Sequence, residues 1–351
     1  MPWTKLQVER EEPAFDENAG DNVRKLDFGT ALLEAQDQAL ARDPRVFVMG
    51  QGVNDPNGAF GTTNALYKKY GLERVFDTPL NEESTIGIAL GAAMAGMRPV
   101  VVHNRPDFLL MAMDQIVNHA AKWSYMFAGQ VPLPVVIRSC VGRGWGSAAQ
   151  HSQTVHGLFH HVPGLKIVLP STAYDAKGLL ISSIADNNPV LFFEQRWLYK
   201  HQSHVPEYVY AVPFGQAAVK RKGKDVTVVA VSHMVIESLR AADELAAEGI
   251  DVEVIDPRTI RPLDIETILA SVRKTGRLVV ADLAWTTGGF AAEVVAVVTE
   301  RAFHGLKCAP RRVAFPDLPT PAGYTLEQAF YPGAKDIKKA VLEMVRPSEK
   351  V

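Results

Sequence analysis

Short apolar runs separated by amphipathic stretches constrain the fold of this chain more than any other feature. Successive side chains of a strand point to opposite faces of the sheet. In the first part of the chain the runs are apolar at successive residues, which is typical of strands covered by helices on both faces. The runs are "RVFVMG" (45–50), "RPVVVHN" (98–104), "LPVVIRS" (133–139), "LKIVLP" (165–170) and "PVLFFE" (189–194), with helices predicted at 29–42, 83–96, 107–126 and 173–186. The alternation predicts a doubly wound, mainly parallel α/β domain.

A second series of the same kind follows. Its strand candidates are "DVTVVAVS" (225–232), "DVEVIDP" (251–257), "GRLVVAD" (276–282) and "RRVAFP" (311–316), and its helices are predicted at 234–248, 264–273, 289–303 and 335–346. We predict an N-terminal arm at 1–25, a first domain at 26–195, a linker at 196–214 and a second domain at 215–351. In such sheets ligands bind beyond the carboxyl ends of the strands, so the site is expected in the loops there.

Composition excludes several classes of function. The chain has 351 residues, 47% of them hydrophobic, a net charge of −2 and no long Lys/Arg run, so neither nucleic acid nor a membrane is expected as a partner. The two cysteines, Cys140 and Cys308, are far apart and suggest neither a disulfide framework nor a thiolate zinc site. The charged N-terminus does not look like a signal peptide, and a cytoplasmic location is expected.

The glycine-rich and histidine-rich stretches give weak signals. "VFVMGQGVNDPNG" places a turn where a dinucleotide-binding helix would begin, and "GRGWG" (142–146) lacks the ending of a phosphate loop. His156 and His160 have the spacing of two metal ligands on a helix, but no acidic third ligand follows, so packed or surface histidines are favoured. His151 follows an apolar strand where a pocket is expected, and either a structural or a proton-transfer role remains open.

An acid pair heads an otherwise apolar segment, "DTPLNEESTIGIALGAAMAG" (77–96). Asn81 is a good N-cap, so Glu82 and Glu83 are expected in the first helical turn, where the helix dipole favours the carboxylate by ~0.3–1 kcal/mol. Burial could oppose this, because full burial can raise a carboxyl pKa by ~3–5 units. A buried glutamate that holds a proton near neutral pH is a candidate general acid or base. The spacing alone does not choose between the two glutamates.

Five separated motifs, in order, resemble the β subunit of thiamine-diphosphate-dependent 2-oxo acid dehydrogenases and, more distantly, transketolases. The motifs are "DTPLNEESTIGIALGAAMAGMRPV", "DQIVNHAAK", "AAQHSQ", "PGLKIVLPSTAYDAKGLLISSIADNNPV" and "VIDPRTIRPLD". The resemblance covers about residues 26–346 and implies a pyrimidine-binding domain followed by a transketolase C-terminal-like domain. It implies that Glu82 exchanges a proton with the aminopyrimidine ring of the cofactor, Phe108 stacks on that ring and Leu80 lies beside it. His151 matches an active-site histidine, whereas Glu83 is expected to be structural, at a subunit contact.

The same resemblance implies a partner. Relatives hold the cofactor diphosphate through Mg²⁺ with a Gly-Asp-Gly motif, and this chain contains no such triplet. A separate α subunit is therefore expected to supply that half of the site in a heterotetramer of two α and two β chains, with a lipoyl acyltransferase as a further partner and a small 2-oxo acid as substrate. The resemblance also implies a potassium site made largely by main-chain oxygens of Val135, Ser183, Ile184, Asp186 and Asn188.

Departures from the family pattern fall on the substrate side. "GQGV" brings Gln51 after the first strand, and "VVHNRPDF" brings His103, Arg105 and Asp107, while Arg143 and Trp145 come from "GRGWG". The added positive charge would suit an anionic substrate. A two-subunit transketolase-like carboligase is therefore the alternative to the dehydrogenase, and a non-catalytic scaffold is disfavoured by Glu82. The donor, the acceptor and the stoichiometry are left open.

Overall fold

The computed structural model describes residues 2–12, 23–142 and 146–346, so Arg143 and Trp145 lie outside the described residues. The chain divides into two compact units. Of the described residues, 2–12, 23–142 and 159–214 form unit 1, and 146–158 and 215–346 form unit 2. The short segment before residue 159 therefore belongs with the C-terminal half of the chain, an arrangement that sequence periodicity does not reveal.

The described part of unit 1 contains ten strands and the first group of helices. The strands are β1 (Gln7–Val8), β2 (Lys25–Asp27), β3 (Val46–Gly50), β4 (Val75–Asp77), β5 (Arg98–His103), β6 (Val136–Val141), β7 (Lys166–Val168), β8 (Val190–Gln195), β9 (Gln202–His204) and β10 (Tyr210–Ala211). The helices are α1 (Phe28–Arg42), α2 (Leu66–Tyr70), α3 (Glu82–Met94), α4 (Ala121–Met126), α6 (Ala173–Ala185) and 3-10 turns at Pro106–Ala112 and Arg196–Leu198, with a π-helix at Asp114–Ala120. Helix α5 (His156–His160) crosses the division between the units.

The main sheet of unit 1 has the parallel order β7-β8-β6-β5-β3-β4. One row of valines crosses it: Val75, Val48, Val100, Val136 and Val190 are successive cross-strand partners, and all are buried. β-branched side chains suit this pleated, covered surface. The predicted parallel sheet is confirmed, and its strand order brings the carboxyl ends of β3, β5, β6 and β8 to one edge.

Helices of unit 1 begin where the sequence provides caps. Asp27 accepts from the Thr30 amide at 2.7 Å at the start of α1, and Thr172 caps α6, which packs against α1. The single helix predicted at 107–126 is instead a 3-10 turn, a π-helix and the short helix α4. Local π-helical geometry of this kind is frequent at functional sites.

Segments of unit 1 that lie outside the main sheet form two further strand pairs. β1 pairs in parallel with β10, β2 pairs in antiparallel fashion with β9, and Trp3 donates to Asp43 at 2.8 Å. The segment 196–214 thus contains two short strands and lies within unit 1.

Unit 2 is the second α/β unit. Its strands are β11 (Ala218–Arg221), β12 (Val226–Ala230), β13 (Val252–Asp256), β14 (Thr259–Arg261), β15 (Leu278–Trp285) and β16 (Arg311–Phe315), and its helices are α7 (His233–Ala246), α8 (Ile265–Thr275), α9 (Phe290–Ala302), α10 (Tyr324–Phe330) and α11 (Ala334–Val345), with a 3-10 turn at Phe303–Gly305. The sheet order β11-β13-β12-β15-β16 is parallel except for the edge strand β11. Its buried core includes Val228, Val254 and Val279, and two mainly parallel α/β units are thereby confirmed.

Candidate active site

The structure separates the two glutamates that the sequence could not tell apart. Asn81 caps α3 by accepting from the Ser84 amide at 2.9 Å, so Glu82 and Glu83 form the first turn as predicted. Glu82 is half-buried, and its Oε1 accepts from Gln51 Nε2 at 3.1 Å, whereas Glu83 is exposed. Only Glu82 therefore has an oriented carboxylate within a partly sheltered site.

Gln51 is itself held in place by the sheet. Its backbone N–H donates to Val102 O at 3.1 Å, and the preceding Gly50 has φ +139°. A Cβ at Gly50 would lie 2.1 Å from that same Val102 oxygen, so only glycine allows the loop after β3 to approach β5 this closely. The Gln51–Glu82 hydrogen bond thus depends on two strands as well as on the helix cap.

His103, at the end of β5, lies near Glu82 but is not an ordinary titrating histidine. It is 2% exposed, and neither ring nitrogen makes a hydrogen bond of good geometry with a described residue. Burial lowers its pKa to about 4, although the Glu82 charge and the nearby Arg105 backbone act in the opposite direction. The imidazole is therefore neutral at pH 7 and carries two buried polar atoms without partners.

The other residues expected around the aminopyrimidine lie in the same unit. Leu80, directly before the cap of α3, is 81% exposed. Phe108 is half-buried in the 3-10 turn after β5, where its N–H donates to Arg105 O at 3.2 Å. Both residues follow strands of one parallel sheet at its carboxyl edge, together with Glu82.

His151 belongs to unit 2 and is exposed. Its backbone N–H donates to Ala148 O at 3.4 Å, and Ala148 has the left-handed φ of +57°. Five residues later, His156 Nε2 lies 3.0 Å from Asp282 Oδ2, and both side chains are 1% exposed. This buried contact fixes the segment, and the sequence analysis did not predict it. His156 is thus a packed histidine, and its partner could not be found from local spacing because Asp282 is 126 residues away.

Two main-chain oxygens of the expected potassium site already bind the positively charged side chain of Arg98. Arg98 Nη1 donates to Ile184 O at 2.8 Å and to Asp186 O at 2.9 Å. Val135 O accepts from the Val190 amide at 2.9 Å. Three of the five expected ligand oxygens therefore already accept hydrogen bonds, two of them from a guanidinium. Within the described residues, no group of three or more His, Cys, Asp and Glu side chains is placed to hold a metal ion.

Among the residues that the structure describes, one side of α3 is left uncovered. Gly91 has open space around its Cα, and Ile88 is 64% exposed. The neighbouring Leu80 and Met111 are also exposed. Where such side chains form one patch, they typically mark a protein interface. Among the described residues, no neighbouring element comes within 4 Å of a Cβ placed at Gly91.

The comparisons with known proteins agree with this architecture. The family profile "Transketolase, pyrimidine binding domain" matches residues 24–202, and "Transketolase, C-terminal domain" matches residues 215–337. A solved structure titled "Split gene transketolase, inactive beta4 tetramer" has a TM-score of 0.72 and 24% identity, with 91% of this chain and 98% of that chain covered, which shows a shared fold.

Curated relatives are closer in sequence. The acetoin:2,6-dichlorophenolindophenol oxidoreductase subunit beta of Cupriavidus necator is 46% identical over 92% of this chain and 98% of its own length. The pyruvate dehydrogenase E1 component subunit beta of Rickettsia felis is 43% identical over 89% of this chain and 95% of its own length. A Bacillus subtilis acetoin:2,6-dichlorophenolindophenol oxidoreductase subunit beta is 38% identical over 92% of this chain and 98% of its own length.

These matches define a transketolase-like protein with a pyrimidine-binding domain and a C-terminal domain. Within that class, the chain belongs to the family of β subunits of thiamine-dependent 2-oxo acid dehydrogenases. The resemblance predicted from the five motifs is confirmed. Among the described residues of this chain, no helix is long and apolar enough to cross a membrane.

Proposed function

We propose that this chain is the catalytic β subunit of a thiamine-diphosphate-dependent 2-oxo acid dehydrogenase that works only with a separate α subunit. The observation that carries the proposal is the Glu82 carboxylate, half-buried at the ligand-binding edge of the sheet with Oε1 held by Gln51. The second oxygen of Glu82 has no hydrogen-bonding partner among the described residues and is available to a ligand nitrogen. A heteroaromatic ring with a protonatable nitrogen fits this arrangement.

The aminopyrimidine of the cofactor would contact Glu82, with Leu80 and Phe108 as its apolar neighbours. When bound, thiamine diphosphate supplies the carbon nucleophile and electron sink that decarboxylation of a 2-oxo acid requires. Glu82 would hold and return one proton at its free oxygen, and Gln51 would keep the carboxylate oriented. Because the pKa of His103 is about 4, that imidazole would act as a neutral hydrogen-bonding group and not as a base.

His151 is proposed to handle protons of the substrate or of its acceptor. Its exposure leaves it accessible to both, and the buried His156–Asp282 pair fixes the segment on which it lies. Packing and a hydrogen-bonded pair of this kind are what hold a functional side chain in a reproducible position.

The α subunit is proposed to hold the diphosphate and Mg²⁺, because this chain has no Gly-Asp-Gly triplet. The uncovered face of α3, with Ile88 and Gly91 exposed, would suit a subunit contact close to Glu82. The isolated chain should therefore lack activity. Turnover of a 2-oxo acid by the isolated chain with thiamine diphosphate and Mg²⁺ would contradict this arrangement.

A lipoyl acyltransferase is the proposed acceptor of the acyl unit, since the curated relatives are subunits of dehydrogenases and oxidoreductases. Analysis of the product tests this directly. An acylated lipoyl domain supports the dehydrogenase, whereas an acyloin or a sugar would support the carboligase.

The potassium site stays a prediction. A K⁺ ion at this corner would have to share the Ile184 and Asp186 oxygens with Arg98. Thermal unfolding in KCl and in choline chloride at equal ionic strength tests it. A K⁺-specific rise in Tm supports the site, and equal values oppose it.

The assignment of Glu82 is tested by Glu82→Gln in the reconstituted complex. Loss of the exchangeable proton should lower 2-oxo acid turnover by at least ~10²–10⁴-fold. Glu83→Gln is the matched control, because it removes an adjacent, exposed carboxylate from the same helical turn. Near-normal activity of Glu82→Gln together with loss in Glu83→Gln would show that the other glutamate is the functional one.

A further inference from the structure

Two arginines that follow separate strands lie over one aromatic ring at the carboxyl edge of the main sheet of unit 1. The guanidinium carbon of Arg196 is 4.1 Å from the centre of the Phe60 ring, and that of Arg105 is 5.2 Å from it. Arg105 follows β5 and Arg196 directly follows β8, and one strand, β6, lies between these two in the sheet. All three side chains are half-buried and so remain accessible to a small ligand.

Phe60 is held rigidly in an uncommon conformation. Its φ is +52°, a left-handed value that bulky residues rarely adopt. The loop is fixed on both sides of the ring, because the Ala59 amide donates to Thr63 Oγ1 at 2.8 Å and Thr62 donates to Ala59 O at 3.0 Å. Such conformations persist where surrounding structure enforces them, often at ligand sites.

The positive charge of Arg105 has no acidic partner within the described chain. Its Nη1 donates to Asn104 O at 3.1 Å, and its buried Nε has no hydrogen-bond partner among the described residues. Glu194 lies on β8, two residues before Arg196. Glu194, however, is already bound by Arg138 through two hydrogen bonds of 3.0 and 2.9 Å.

We propose that Arg105 and Arg196 form an oxyanion-binding subsite, with Phe60 as its floor, that recognises a carboxylate or phosphate group on the donor or acceptor. Guanidinium groups match the planar carboxylate and the phosphate with paired N–H donors. This inference rests on the proposed function, because the subsite would select among substrates of the same reaction.

The recognised oxyanion is one that keeps its charge during the reaction. The carboxylate next to the ketone leaves as carbon dioxide, and strong pairing to it would stabilise the ground state and slow its loss. Two arginines therefore serve better to bind a remote group: a second carboxylate on the donor, or a carboxylate or phosphate on a carbonyl acceptor. The remote group carries the same charge before and after the carbon–carbon bond is cleaved.

Matched substrate pairs test the subsite in the reconstituted α–β complex. The donor arm compares 2-oxoglutarate with 2-oxopentanoate, which has the same chain length without the remote carboxylate. The acceptor arm compares glyceraldehyde 3-phosphate with glyceraldehyde, using whichever donor is turned over. We expect the charged member of at least one pair to be favoured about tenfold or more in kcat/KM. The arm that shows the preference identifies the source of the oxyanion.

Arg105→Met and Arg196→Met should each reduce that charged-to-neutral ratio about tenfold, chiefly through KM, and Arg105→Lys should restore part of it. Lys68→Met is the control, because Lys68 also lies over an aromatic ring, 5.8 Å from the centre of Tyr67, but is exposed on α2. The control should leave both ratios unchanged. If the charged-to-neutral ratio of kcat/KM is the same in the wild-type complex as in both methionine variants, the proposed subsite is wrong.

A binding measurement separates failure of the subsite from failure of the proposed function. If the complex turns over no 2-oxo acid, the proposed function fails, and the subsite is then judged by calorimetry with succinate and with inorganic phosphate. Binding by the wild-type complex that Arg105→Met weakens about tenfold supports the subsite. Absence of binding, or equal binding by the variant, overturns it.

Discussion

Two polar clusters on neighbouring strands of the first sheet are built in opposite ways. On β6 and β8, the buried Arg138 binds Glu194 and also donates to Gln36 Oε1 at 2.8 Å, while Tyr199 donates to Glu194 at 3.0 Å. One residue further along β6, Ser139 is the cross-strand partner of His103, and the polar side-chain atoms of both are buried without partners among the described residues.

Among the described residues, the polar side-chain atoms of the first cluster are paired, whereas several atoms of the second are not. The Arg138 cluster satisfies its own hydrogen bonds and so contributes to a uniquely packed core. Buried polar atoms without partners are rare in folded proteins and each one requires an explanation. His103, Asn104 and Arg105, which follow one another from the last residue of β5, each carry such an atom.

The largest effect is expected from breaking the satisfied cluster. Arg138→Met leaves Glu194, which is 2% exposed, as a buried charge without its ion-pair partner. The free energy of unfolding should fall by ~3–5 kcal/mol, measured by denaturant titration. Arg138→Met combined with Glu194→Met should recover much of the loss, because no isolated charge remains. A single variant that loses less than ~1 kcal/mol would show that the cluster is not the closed network described here.

A smaller, pH-dependent effect is expected at the unsatisfied cluster. The pKa of His103 is lowered to about 4 from an ordinary value of 6.5, so between these two pH values the unfolded chain binds a proton that the folded chain does not. Stability should therefore fall as the pH decreases from 6.5 to 4, by on the order of 3 kcal/mol in total from this group.

His103→Phe should remove this contribution and flatten the stability profile between pH 6.5 and 4, as measured by Tm at a series of pH values. His161→Phe provides the control, because His161 is exposed. Parallel profiles for the wild type and His103→Phe would contradict the lowered pKa.

The smallest effect is expected at the helix cap that carries Glu82. Asn81→Ala removes the 2.9 Å hydrogen bond to the Ser84 amide and should cost ~1 kcal/mol in the free energy of unfolding. Asn81→Asp should retain most of the stability, since a carboxylate also caps well. An alanine variant with unchanged stability would mean that packing alone fixes the start of α3.

Sequence patterns predicted the fold and part of the site because those features are local. Strands β3, β5, β6 and β8 carry apolar side chains on both faces, so helices must cover both faces of the sheet. The Asn81 cap is a local signal for the start of α3. Family resemblance selected Glu82, and the structure shows that Glu82, not Glu83, has the oriented carboxylate. The roles of Leu80, Phe108 and His151 remain predictions.

Three features were out of reach of sequence reasoning. The segment 146–158 groups with the C-terminal half of the chain, the region 107–126 is divided among three helical forms, and Phe60 adopts a left-handed conformation. None has a local period or a characteristic residue. Phe60 in particular belongs to a loop that gave no signal except the failure of its dinucleotide motif.

Local sequence patterns were enough to predict two mainly parallel α/β units and the capped acid pair, whereas the partner that holds the diphosphate stays a prediction. Tertiary structure alone decided which polar groups meet: Gln51 with Glu82, His156 with Asp282, and Arg105 and Arg196 with Phe60. For the two arginines the cause is the parallel sheet of unit 1, in which β8 lies beside β6 and one strand from β5, although β7 comes between β6 and β8 along the chain. No local pattern records that order.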